Sequence, residues 1–164
     1  MSALQGIRVI DLTRILAGPF CTMLLADMGA DVVKIESAAG DPVRGQGAMV
    51  DGYSGYFEQF NRNKRSVVLD LYSDVGKAHL TRLLRDADVV LENYRPGVFA
   101  KMGYDTQTLQ ALNSRLVVAS VNGYGSSGLY ADRPSFDFIA QAMSGFMAVN
   151  GDPDGPPHRA GPNR

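Results

Sequence analysis

The sequence predicts an α/β domain built on a doubly wound, mostly parallel sheet. Three observations predict it. β-Branched apolar runs of strand length alternate with segments of helical length. The run over 87–92 places charged ends around an apolar centre, as in strands covered on both faces. Loops bearing Gly, Pro or Asn follow the strands' C-terminal ends, where such sheets bind ligands.

The first strand is expected over 7–12, Ile-Arg-Val-Ile-Asp-Leu, followed by a Gly18-Pro19 loop and an apolar helix over 20–28 that ends at Gly29. The second strand, over 31–36, returns after a connection typical of a βαβ unit. Residues 37–63 are rich in Gly, Asp, Tyr, Asn and Arg with little periodicity, apart from a short turn near 56–60. A loop of that length in a compact domain is more often functional than incidental.

A third strand is expected over 66–71. Ser73 caps a helix over 74–85 whose Val75, Ala78, Leu80, Leu83 and Leu84 recur at helical spacing, with His79 on its solvated face beside Lys77, Arg82 and Arg85. The fourth strand covers 87–92. Pro96 suits the first turn of a short helix reaching Lys101 and closed by Gly103, and Asp105 or Thr106 starts another to about Leu112. A fifth strand over 116–121 precedes the glycine-rich loop 122–128. A last helix over 136–149 leads into a Gly/Pro/Asp-rich linker.

At 164 residues with 45% hydrophobic and 20% charged residues, the chain suits one globular domain with a core. A net charge of −1 argues against a nucleic-acid partner. No basic leader precedes an apolar segment, and no run approaches the length that spans a bilayer, so no membrane partner is expected and the cytoplasm is the default. Cys21 has no second cysteine to pair with and lies in an apolar run where free thiols commonly pack. Two histidines and one cysteine form no metal-ligand pattern, and neither a nicotinamide fingerprint nor a P-loop is present, so neither a metal nor a nicotinamide cofactor is expected.

Several segments then match one pattern in order: Leu16-Ala17-Gly18-Pro19; Gly29-Ala30-Asp31-Val32-Val33-Lys34-Ile35-Glu36; Asn61-Arg62-Asn63-Lys64-Arg65-Ser66; Glu92-Asn93-Tyr94-Arg95-Pro96-Gly97; Leu112-Asn113-Ser114-Arg115-Leu116; and Arg133-Pro134-Ser135-Phe136-Asp137 running on to Gly145. In these the chain resembles the N-terminal portion of the family III CoA-transferases, which include formyl-CoA transferase, carnitine-related CoA-transferases and α-methylacyl-CoA racemase. The resemblance implies a Rossmann-like CoA-binding domain over 1–150 and a linker over 151–164 leading to a catalytic and small-domain region. It also implies coenzyme A as a substrate, an acyl-CoA and a carboxylic acid acceptor as partners, and an interlocked homodimer when full length.

Carried over position by position, the resemblance places Leu16, Ala17, Leu69, Asp70, Leu71, Tyr72, Asn93, Tyr94 and Arg95 on the CoA surface. Lys101 and Arg133 stand where a cation meets CoA phosphates, although an exposed Lys101 is equally a solvated surface charge. Asp137 is either a supporting carboxylate of the active site or a helix N-terminal charge favoured by the dipole. The cations Arg62, Lys64 and Arg65 form either a phosphate-facing patch or ordinary loop charge, while Asn61 and Asn63 read as structural.

The nucleophilic aspartate of this pattern is expected just beyond Arg164, which would leave the 164 residues inactive alone. Asp152 and Asp154 read as turn formers. Ser37 stands where several transferases have Arg, removing one expected contact to the nucleotide end of CoA. Leu16 in place of Gln points away from formyl-CoA, and Phe136 in place of the racemases' His ranks racemase activity below transfer. The reading is therefore CoA transfer through an aspartyl-acyl anhydride and an enzyme-CoA thioester. A non-catalytic CoA-binding module or remnant, and an acyl-CoA racemase, are the alternatives. Without the segments that complete the family's larger domain, apolar surface and sheet edges are expected to lie uncovered.

Overall fold

β-Branched residues in the expected runs pair into one five-stranded sheet in the computed structural model, which describes residues 2–161. The strands are β1 (Arg8–Asp11), β2 (Asp31–Glu36), β5 (Lys64–Val68), β6 (Val89–Glu92) and β7 (Val117–Ser120). A two-stranded hairpin, β3 (Met49–Val50) and β4 (Tyr53–Ser54), stands apart from the sheet. The large sheet runs β5-β2-β1-β6-β7 with every pair parallel. The chain winds outward from β1 through β2 to β5, then returns to the other side of β1 for β6 and β7. Its order therefore reverses between β1 and β6.

Helices α1 (Ala17–Asp27), α2 (Gly55–Asn61), α3 (Asp74–Arg85), α4 (Val98–Lys101), α5 (Thr106–Leu112) and α6 (Asp137–Met143) connect or follow the strands. Helix α3 has the expected bounds because its local signals agree. The Ser73 hydroxyl accepts from the Gly76 amide at 3.0 Å, Asp74 opens the first turn, and Arg82 and Arg85 close the last. Asp105 likewise caps α5 by accepting from the Thr108 amide at 2.7 Å.

The two-residue period of the strands divides the sheet into two faces. Ile10, Leu12, Val33, Ile35 and Val90 pack with Leu80 and Leu84 of α3, Phe99 of α4 and Leu109 of α5. On the opposite face Val9 and Val32 pack with Ala26 of α1 and with Ala30. Helices thus cover both faces, as a doubly wound sheet requires.

Some elements differ from expectation. Helix α1 begins at Ala17, so Gly18 and Pro19 lie in its first turn, where a proline's missing amide breaks no intrahelical bond. The weakly periodic stretch 37–63 contains a 3-10 turn (Pro42–Gly45), the β3–β4 hairpin and α2; the hairpin turns on Asp51 and Gly52, both at positive φ. The third strand starts at Lys64 and ends at Val68, leaving Leu69, Asp70, Leu71 and Tyr72 in the turn beyond it. The last helix stops at Met143 because Gly145 adopts a φ of 79°; a 3-10 turn (Phe146–Ala148) follows. Cys21 is half-buried rather than enclosed, since it stands beside the outward stripe of Phe20 and Leu24 on α1 and Met28 at its C-terminal cap.

The chain forms two compact units, Met1–Val121 and Asn122–Arg164. The first holds the sheet and α1–α5, the second α6 and its flanking turns. Apolar side chains stay exposed in each: Val68, Val117 and Val118 on the edge strands of the first, Phe136, Met143 and Phe146 in the second. Among the described residues no helix is long and apolar enough to cross a membrane.

Candidate functional site

At the reversal point the loops after β1 and β6 lie side by side. Sheets of this order bind ligands in the crevice beyond the strands' C-terminal ends at this position. The Asn93 carboxamide joins the two loops: Oδ1 accepts from the Arg14 amide at 2.9 Å and Nδ2 donates to the Arg14 carbonyl at 2.7 Å. The Arg14 guanidinium lies 5.5 Å from the centre of the Tyr94 ring. Burial raises the Tyr94 phenol's pKa, and the neighbouring Arg14 charge partly offsets that rise. Leu16 and Ala17 follow directly, at the start of α1, whose N-terminus carries no side-chain cap.

Beneath this crevice the sheet face toward α1 changes character. Its apolar residues Val9 and Val32 give way, at alternate positions nearer the strands' C-terminal ends, to Asp11, Lys34 and Glu36. These charges are buried and therefore need partners. Asp11 accepts from the Thr13 amide at 2.9 Å, the Thr13 hydroxyl at 2.5 Å, the Thr22 hydroxyl at 2.6 Å and the Lys64 ammonium at 3.0 Å. Lys64 also donates to the Pro19 carbonyl at 2.9 Å and to Asn61 Oδ1 at 3.0 Å. Burial pulls its pKa below the ordinary lysine value, while Asp11 draws it back. Lys34 donates to the Thr13 carbonyl at 2.8 Å and to Asp41 Oδ2 at 3.0 Å. Among the described residues no buried polar side-chain atom lacks a partner.

Glu36 closes the network. It accepts two bonds from Arg44, each 2.7 Å, one from the Asp41 amide at 2.9 Å and one from the Ser66 hydroxyl at 2.5 Å. Burial opposes ionisation of this carboxyl, but these donors outweigh it and bring its pKa down to about 2. A depressed carboxylate contributes stability that is fully present above its ordinary pKa of 4.5 and is lost as pH falls toward about 2. Because Arg44 is partly solvated, the contribution is set at roughly 2 kcal/mol, below what the full shift implies. Acid titration of unfolding should therefore show wild type losing that much more stability between pH 4.5 and 2 than Glu36→Gln. Equal slopes for the two proteins would refute the assignment.

The structure places the sequence-derived candidates unevenly. Leu16, Ala17, Asn93, Tyr94 and Arg95 belong to the two loops at the crevice, while Leu69, Asp70, Leu71 and Tyr72 form the turn between β5 and α3. In that turn Leu69 and Leu71 pack against the core, and Tyr72 is 86% exposed. Lys101 is exposed at the end of α4. In the second unit Arg133 stacks over Tyr130 at 4.5 Å, and Asp137 accepts from Gln141 Nε2 at 2.7 Å. Gln141 also holds the Ala160 backbone, donating to its carbonyl at 3.0 Å and accepting from its amide at 2.9 Å.

The three cations in 62–65 are engaged by carboxylates: Arg62 by Asp27, Lys64 by Asp11 and Arg65 by Asp31. Asn61 donates to the Phe57 carbonyl and Asn63 to Asp27, so both asparagines are structural, as expected. Sequence reasoning missed Asp11, Lys34 and Asp41. The available signal was a lysine inside a strand expected to be covered on both faces, which demands a buried counter-charge. A hollow of about 200 Å³ beside the hairpin is lined by Arg44, Tyr53, Ser54, Phe57 and Glu58, with Arg44 stacked 3.7 Å over Phe57. Among the described residues no group of three or more His, Cys, Asp or Glu is placed to hold a metal.

The strand order, reversing between β1 and β6, defines a Rossmann-like α/β protein. Comparison with known proteins narrows the class: the chain belongs to CoA-transferase family III, whose model matches residues 4–164. It is 47% identical to the succinate–glutarate CoA-transferase of Agrobacterium fabrum over 96% of this chain and 42% of that protein. It is 46% identical to the acetyl-CoA:oxalate CoA-transferase of Acetobacter aceti over 96% of this chain and 41% of that protein. A CAIB/BAIF family protein from Brucella suis superposes with a TM-score of 0.92 at 41% identity, over 98% of this chain and 44% of that one. The chain thus spans about two fifths of the length of these relatives.

Proposed function

We propose that the protein carrying this chain transfers coenzyme A from an acyl-CoA to a carboxylic acid, through an aspartyl-acyl anhydride and an enzyme-CoA thioester. The observation that carries the reading is the family match across 4–164, taken with the two loops at the sheet's reversal point that Asn93 ties together. In this reading 1–150 is the Rossmann-like CoA-binding domain and 151–164 a linker. Leu16, Ala17, residues 69–72 and residues 93–95 contact CoA, Lys101 and Arg133 meet its phosphates, and Asp137 is a supporting carboxylate. The nucleophilic aspartate lies just beyond Arg164, and the full-length enzyme is a cytoplasmic homodimer.

A carboxylate nucleophile suits this chemistry because a mixed anhydride retains the acyl-transfer potential of the thioester. The named substrates of the relatives, among them succinate, glutarate and oxalate, make small dicarboxylic acids the first to try. Full-length protein incubated with succinyl-CoA and each acid other than succinate should yield the matching new CoA thioester with total thioester conserved, followed by mass spectrometry. Thioester hydrolysis alone, or none consumed with any acid, would sink the transferase reading. Solvent deuterium entering the α-carbon of a 2-methylacyl-CoA without CoA exchange would favour a racemase instead. The 164 residues assayed alone are expected to give no turnover.

A further inference from the structure

The loop 13–15 has its backbone held by side chains from four different parts of the fold. The Thr13 amide donates to Asp11, its carbonyl accepts from Lys34, and the Arg14 amide and carbonyl both bond Asn93. The Ile15 amide donates to the Asp41 carboxylate, at 3.2 Å to Oδ1 and 3.3 Å to Oδ2. Ile15 has a φ of 74°, a left-handed conformation that a β-branched residue adopts only where its surroundings impose it. Asp41 and Lys34 are both essentially solvent-free, and the carboxylate holding Ile15 lies 3.0 Å from the Lys34 ammonium. A second bond, from the Val43 amide to Asp41 Oδ1 at 3.1 Å, fixes the carboxylate itself.

We propose that Asp41 is a positioning residue: by holding Ile15 in its left-handed conformation it sets the path of Leu16 and Ala17 and so preorganises the crevice for the CoA thioester. The inference rests on the CoA-transferase reading. It adds that the strain is maintained for binding, because relaxing Ile15 to negative φ would redirect the next two residues while leaving the core in place.

The test is a cycle on the full-length protein, Asp41→Ala, Ile15→Gly and the double variant, with free coenzyme A titrated calorimetrically and melting followed in parallel. Asp41→Ala removes the acceptor that holds the Ile15 amide and leaves Lys34 buried without its counter-ion, so it lowers the melting temperature and weakens CoA binding roughly tenfold or more. Glycine adopts positive φ without penalty, so Ile15→Gly alone binds as wild type does. In the double variant CoA affinity returns to within about threefold of wild type while the melting temperature stays low, since Lys34 remains unpaired. A merely structural aspartate would show affinity and stability failing together, with no recovery from glycine, and that result overturns the inference. Unchanged affinity in Asp41→Ala overturns it too, while wild-type CoA binding leaves the transferase reading standing. Absence of CoA binding by wild type overturns both.

Discussion

Replacing Lys64 by alanine should lower the unfolding free energy by roughly 3–5 kcal/mol, the range for removing one partner of a buried ion pair. The Lys64 side chain is 2% exposed and that of Asp11 is fully buried. Removing the ammonium leaves the Asp11 carboxylate in place with two threonines as its remaining donors. It also removes the donor that joins the Pro19 carbonyl of α1 and the Asn61 carboxamide of α2 to the sheet. Denaturant unfolding at neutral pH measures the loss directly. A change below about 1 kcal/mol is what solvated surface pairs show, and it would mean that water reaches this site.

Gly76→Ala is expected to cost roughly 2–3 kcal/mol. In an exposed helix the same exchange is usually stabilising by up to about 1 kcal/mol, so the expected sign is reversed. A Cβ at 76 would lie 1.9 Å from the carbonyl oxygen of Asp70 and 2.6 Å from its carbonyl carbon. Both are backbone atoms, so no rotamer change relieves the clash. The turn must move instead, and that carbonyl also accepts from the Ser73 amide and hydroxyl that start α3. If 69–72 contact CoA as proposed, affinity for CoA falls with stability. Thermal melts and CoA titration of the variant check both parts; a stabilised Gly76→Ala would show that the close approach is wrong.

Legibility in the sequence followed the range of the interaction. Helix α3 and strand β2 were readable to the residue because Ser73, Asp74 and the terminal arginines of the one, and the β-branched run of the other, act on neighbours in the chain. Stretch 37–63 was less readable. Its two-residue strands are too short for a periodicity to register, and α2 is a single short helix whose Ser54 cap sits inside the hairpin. Family membership was also legible, since motifs in fixed order require only the sequence.

By itself the sequence determined the alternation of strands and helices, the parallel sheet and the segments that carry the family pattern, because each depends on local periodicity or on residue identity. Tertiary structure alone decided what the charges do. Lys64 and Asp11 are 53 positions apart, and Ile15 and Asp41 are 26 apart. No local pattern pairs such residues; they meet only when the parallel sheet and the loops around it assemble. Burial forces each of these charges to find a partner: of the three cations over 62–65 only Lys64 turns into the buried network, while Arg62 and Arg65 stay exposed on the surface carboxylates Asp27 and Asp31.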